Sequence, residues 1–178
     1  MTSPTGAPPE PRDIVAAARR GDPPALAALY RAHGAAVFRL AYRLTGTRED
    51  AEDVVHDVFV GLPEALLRYE ERGRLESWLK RVAARVALMR LRQRGRRREV
   101  PLEAVAGHRS PEAPGEVAAL QEAVAALPNA LRSVLVLKEM EGYSHAEVAA
   151  LLGISAGASR ARLMRAITRL RRTLGEDR

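Results

Sequence analysis

Apolar residues recur at three- and four-residue steps along most of this chain, the spacing that gathers them on one face of a helix. Leu26, Leu29, His33, Val37, Leu40 and Leu44 make the longest such stripe. Val54, Val55, Val58, Phe59, Leu62 and Leu66 make a second, which Pro63 should kink or interrupt because proline lacks the amide hydrogen that an interior turn requires. Leu75, Trp78, Val82, Val86 and Met89 make a third. Beyond residue 115, Val117, Leu120, Val124 and Leu127 precede a helix holding Leu131, Val134, Leu135 and Lys138, and Leu163, Ile167, Leu170 and Leu174 close the series. The predicted fold is all-α.

Turn and capping residues cut these stripes into two blocks. Residues 1–12 hold four prolines and read as a disordered leader. A short helix over 14–20 stops at Gly21, and Asp22-Pro23 restarts the chain as N-cap and first helical residue. Gly46 closes the second helix, Thr47 with Asp50 resembles a capping box, and residues 68–74 form a loop. The first bundle thus spans 13–92. From 93 to 115 the periodicity is lost among Arg94, Arg96, Arg97, Arg98, Pro101, Gly107, Pro111, Pro114 and Gly115, which reads as a flexible basic linker. A second helical block follows over 116–175, in which Pro128 opens a helix and Gly142 ends it. Two small, unrelated helical domains on a tether are expected.

Within the second block a helix-turn-helix is legible. Ser144 and Glu147 form a full capping box, and Val148, Ala149, Leu151 and Leu152 supply the inner face of a short helix. Gly153 stands where the turn needs a left-handed or unhindered backbone, Ile154 plugs the corner, and Ser155 caps the next helix. That helix carries Arg160, Arg162, Arg165, Arg169, Arg171 and Arg172 with no acid before Glu176. A solvated helix face ordinarily mixes charge sign, so the single-sign face points to DNA. Ser159, Arg160, Ala161 and Met164 are placed for base edges, and Arg162, Arg165 and Arg169 for phosphates.

Composition agrees. Of 178 residues 47% are hydrophobic and only 4% aromatic, and Ala and Leu dominate, which suits helix–helix packing. The net charge is +7, and Lys80 and Lys138 are the only lysines. Arginine's planar fork matches phosphate and guanine in two places at once. With no cysteine, disulfides, zinc–thiolate sites and thiol catalysis are excluded. No apolar run approaches the roughly 20 residues that span a bilayer, so a cytoplasmic protein without membrane insertion is expected.

Two sets of residues then carry a resemblance. Leu29-Tyr30, Leu44-Thr45-Gly46, the run from Arg48-Glu49-Asp50 to Val58-Phe59, Ser77-Trp78-Leu79, Val82-Ala83 and Leu91-Arg92 resemble conserved region 2 of bacterial sigma-70-type sigma factors. Leu127-Pro128, Glu141-Gly142-Tyr143-Ser144, Glu147-Val148-Ala149 and Leu152-Gly153-Ile154-Ser155 resemble region 4. The layout is similar to the extracytoplasmic-function (ECF, group 4) subfamily over residues 13–174. The resemblance implies that an acidic helix, here with Glu49, Asp50, Glu52, Asp53, His56 and Asp57, docks on the clamp helices of the largest subunit of core RNA polymerase. It implies −10 recognition and melting of promoter DNA by Tyr69, Arg72, Arg74, Ser77, Lys80, Arg81, Arg85 and Arg92. It implies −35 recognition by Ser155, Ser159, Arg160, Ala161, Arg162, Met164, Arg165 and Arg169, and an anti-sigma partner. No catalytic residue, metal or cofactor is implied. Three departures stand out: Arg85 where the family commonly has Asn, Met89 where it has Asp, and Gly157-Ala158-Ser159 where it shows Gly-Thr-Val.

Rival readings remain at this point. A plain helix-turn-helix regulator explains the second block but leaves the first unused. A sigma-like adapter that titrates an anti-sigma factor is kept open by Arg85 and Met89. An enzyme is disfavoured: Asp53 and His56 have the spacing of one half of a di-iron site, but no second pair is legible. His33, on an apolar stripe, reads as a satisfied core histidine.

Overall fold

A computed structural model describes residues 11–70, 74–97 and 115–175, and every regular element among them is helical. The first block holds α1 (Pro11–Arg19), α2 (Pro23–Thr45), α3 (Arg48–Val60), α4 (Leu62–Leu66) and α5 (Leu75–Arg97). The second holds α6 (Glu116–Ala125), α7 (Asn129–Leu135), α8 (His145–Leu152) and α9 (Ala156–Leu174). The expected leader mostly lies outside the described residues, but its last two residues already belong to α1. Likewise α5 runs through Arg92 to Arg97, so the expected linker loses its first five residues to helix, and residues 98–114 lie outside the described residues.

Caps set the boundaries where the sequence placed them. Asp22 accepts a hydrogen bond from the Ala25 amide at 3.0 Å and opens α2. Gly46 ends that helix at φ 84°, a left-handed backbone that any side chain would strain. Thr47 then accepts from the Asp50 amide and opens α3. Pro63 sits in the first turn of α4, where its missing amide costs nothing, so the expected long helix is two helices joined at Gly61.

The first core forms where α2, α3 and α5 pack together, with α1 and α4 closing one end. Leu40, Leu44, Val54, Val58, Leu62, Leu66 and Leu79 are fully buried in it. Tyr30 packs edge-on against Phe59, with ring centroids 5.0 Å apart. His33 departs from expectation: its Nδ1 is buried with no hydrogen-bond partner.

In the second block α9 packs on α6, α7 and α8. The helix begun by α7 continues as one π turn over Val136–Met140. Six consecutive residues from Arg132 to Leu137 are buried, more than a one-sided stripe can hide. They are covered on several sides because α7 also rests against α2 of the first block.

Candidate nucleic-acid and polymerase interface

Helix α9, the expected recognition helix, is set by its caps and its buried face. Ser155 accepts from the Ala158 amide at 3.0 Å and starts the helix, and Gly153 makes the preceding turn at φ 68°. Ser144 and Glu147 close both bonds of the capping box that starts α8. The Ser144 backbone bond, then its hydroxyl, holds the Glu147 carboxyl below the usual glutamate range. Ser159, Leu163, Ala166 and Leu170 point inward along α9. On the opposite side Arg160, Ala161 and Met164 are exposed, Met164 at 64%, with Arg165 and Arg169 exposed beside them and Arg162 half-buried. An apolar side chain this exposed in the middle of a basic face suits contact with a base edge or a thymine methyl.

One base-facing expectation is corrected. Ser159 is fully buried, and its hydroxyl lies 2.9 Å from His145 Nδ1. At one hundred degrees per residue it falls on the α9 face that meets α8, away from Arg160 and Met164.

Along α5, Arg81, Arg85, Met89 and Arg92 follow one another at three- and four-residue steps on an exposed face, with Ser77 and Arg74 at its start. Arg72 lies outside the described residues. Tyr69 is a second correction: it is buried, its ring 5.0 Å from Trp78, and Arg19 donates to its carbonyl. The ring closes the core under the loop and cannot serve as a platform for an unstacked base. Lys80 is turned from the arginine row and pairs with Glu76 and Glu141.

The acidic helix α3 divides into inner and outer carboxylates. Asp50 is buried, accepts from Thr47 and pairs with Arg94. Asp53 and Asp57 each lie 2.6 Å from the Arg90 guanidinium. Partial burial works against the Arg90 charge, but the bonds to Asp57 and Asp53 outweigh it and raise its pKa. Glu52 pairs with Arg48 one turn back, and Glu49 and His56 face solvent. Thus Asp50 belongs to the fold, which removes it from the expected docking set, while Glu49, Glu52 and His56 form the outer edge.

Residues 29–97 match the Sigma-70 region 2 family model, and residues 118–170 match that of Sigma-70, region 4. The chain is 34% identical over 164 residues to the ECF RNA polymerase sigma factor SigM of Mycobacterium tuberculosis, covering 92% of this chain and 84% of that protein. This chain belongs to the ECF sigma factors. It is also 35% identical over 152 residues to the ECF RNA polymerase sigma factor SigE of Mycolicibacterium smegmatis, covering 80% of this chain and 59% of that longer relative. Among solved structures, the sigma factor RpoE from Bartonella quintana, in complex with the anti-sigma factor NepR, superimposes with a TM-score of 0.63 at 25% identity. That match covers 84% of this chain and 96% of that one.

Sigma factors direct RNA polymerase to promoters, and the two matched regions of this sigma factor fall one in each of its helical blocks. Among the described residues no helix is long and apolar enough to cross a membrane. Sequence reasoning missed Arg90, which holds Asp53 and Asp57, and it missed a second arginine of this sigma factor that joins the two blocks. Arg132, on α7, is buried and donates to the Leu44 carbonyl at 3.0 Å and the Thr45 carbonyl at 2.8 Å, across to the end of α2. Desolvation lowers its pKa from a very high ordinary value, which leaves it charged. No motif announced it, because its partners in the first block are backbone carbonyls 88 and 87 positions away, which leave no pattern of residue types.

Proposed function

We propose that this sigma factor is a dissociable initiation subunit whose two blocks share the promoter between them. The first block, to residue 97, docks on the polymerase clamp helices through the outer edge of α3, with Glu49, Glu52, His56 and the Arg90-paired Asp53 and Asp57. The exposed row on α5, with Arg74 and Ser77 leading into Arg81, Arg85 and Arg92, holds the opened −10 strand. Cations there neutralise phosphate while planar guanidinium groups stack on released bases. Met89 takes part as an apolar surface where the family's acid is missing. The second block, from residue 116, lays α9 in the −35 major groove, with Arg160, Ala161 and Met164 over base edges and Arg162, Arg165 and Arg169 on phosphates. Ser155 caps the helix at the groove.

The observation that carries this reading is the α9 surface: a continuous exposed arginine face with Met164 at its centre and no carboxylate along the helix. The protein acts in the cytoplasm without catalysing a reaction of its own, and needs no cofactor. An anti-sigma protein holds it inactive, by analogy with the Bartonella complex. Co-purification with core RNA polymerase tests the reading. A plain helix-turn-helix regulator would not co-purify, and an adapter that only titrates an anti-sigma factor would start no transcript.

A further inference from the structure

The arginines of α5 divide between two faces. Arg81, Arg85 and Arg92 stand in the exposed row, whereas Arg90 lies about 140–180° round the helix from them, on the side packed against α3. There all three of its guanidinium nitrogens are engaged. Nε and Nη2 lie 2.7 and 2.6 Å from Asp57 Oδ2, and Nη1 lies 2.6 Å from Asp53 Oδ2. Arg94, one turn further along α5, pairs with Asp50 on the same helix. Each of Asp53 and Asp57 thus meets Arg90 through its Oδ2 and keeps its Oδ1. The Oδ1 of Asp57 lies instead 3.9 Å from Nδ1 of the exposed His56.

We propose that Arg90 is a positioning residue for docking on polymerase: it holds Asp53 and Asp57 as a fixed pair whose remaining oxygens receive a basic surface of the clamp helices. The inference rests on the reading of α3 as the docking helix. Two carboxylates one turn apart on a helix repel, and without a shared cation they turn away from each other. The three nitrogens of one rigid guanidinium fix both carboxylates, which a single ammonium point charge does not. Ion pairs open to water add little to folding stability, and the Asp53 and Asp57 side chains are 54% and 37% exposed. The effect of Arg90 falls instead on binding, where a carboxylate already held in place loses less freedom when its partner arrives. Its charge acts in the opposite sense at long range. It cancels part of the negative charge of α3 and so weakens steering toward a basic surface. Arg90 therefore lowers the encounter rate and lengthens the life of the complex.

Surface plasmon resonance of the full chain on immobilised core RNA polymerase, well below the melting temperature, tests this through the two rates separately. Arg90→Lys keeps the charge, so association should hold while dissociation quickens about three- to tenfold. Arg90→Met removes the charge, so association should also quicken at low salt. In an Asp53→Asn/Asp57→Asn background, Arg90→Lys should change dissociation no further, because the groups it acts through are gone. Thermal melts of Arg90→Lys and Arg90→Met should stay close to the parent, which separates positioning from a role in folding. An unchanged dissociation rate in Arg90→Lys, an equal further increase in the Asn background, or a large fall in both melting temperatures would overturn the proposal. If Glu49→Arg/Glu52→Arg weakens binding while Arg90→Lys leaves dissociation unchanged, α3 remains the docking helix and only the part given to Arg90 falls. A parent chain that does not bind core polymerase overturns both.

Discussion

His145 Nδ1 and the Ser159 hydroxyl meet at 2.9 Å, joining the first turn of α8 to the first turns of α9. Ser159 is the only polar side chain fully buried in the interface of the helix pair among the described residues, so this bond fixes how α9 leaves α8. Ser159→Ala removes it and leaves the imidazole without that partner, at a cost of about 1–2 kcal/mol. Ser159→Leu forces extra volume into a filled site and should cost about 1–3 kcal/mol. Urea denaturation of both variants checks the order, and equal stability of Ser159→Leu and the parent would contradict the burial.

On the exposed face the effects should separate by role. Arg169→Ala should weaken binding to all DNA sequences alike and reduce the salt slope by about 0.9. Arg160→Ala should instead relax preference at one or two promoter positions, at about 1–3 kcal/mol for the preferred base. Fluorescence titration at several salt concentrations, against a promoter duplex and a scrambled one, distinguishes the two.

The acidic helix yields a different contrast. Replacing Glu49 and Glu52 together by Arg should reduce core-polymerase affinity at least about tenfold by reversing the charge of an exposed edge. Surface reversals of this kind should leave the melting temperature nearly unchanged. Asp50→Ala should do the opposite: it strips the buried partner from Thr47 and Arg94 and should cost about 1–3 kcal/mol of stability. Calorimetry beside a polymerase-binding assay measures both.

Glu147 supplies a pH dependence. Its bonds to Ser144 lower its pKa in the folded state, so the unfolded chain takes up the proton first as pH falls. The stability it contributes is therefore present above the ordinary glutamate range and is lost as pH drops through the lower folded value. Glu147→Gln should abolish this increment while keeping part of the cap. Thermal melts from pH 7 down to pH 3 should converge for the two proteins at the acid end.

Local chemistry explains why much of the fold was readable. Asp22, Gly46, Thr47, Ser144, Gly153 and Ser155 each act on neighbours within four residues, and all six cap or turn the chain where their side chains dictate. The site was readable only in outline. Ser159 and Tyr69 sit in stretches rich in surface polar residues, and whether such a residue faces in or out depends on a partner helix that periodicity does not name. Asp50 looked like one of a row of acids, yet the helix phase turned it toward Arg94. Arg132 was hidden more deeply, since a guanidinium bonded to distant carbonyls resembles any other arginine in a basic chain. The helical continuation past Arg92 was obscured because arginine is a good helix former as well as a common linker residue.

The central claim is that this chain gives core RNA polymerase a promoter preference of its own. Reconstituting the two and mapping transcript starts across a genome-derived template measures that most directly. The account predicts starts at a discrete set of sites sharing a −10 and a −35 element, with Arg160→Ala shifting preference only at the −35. Starts no different from those of core polymerase alone would contradict it.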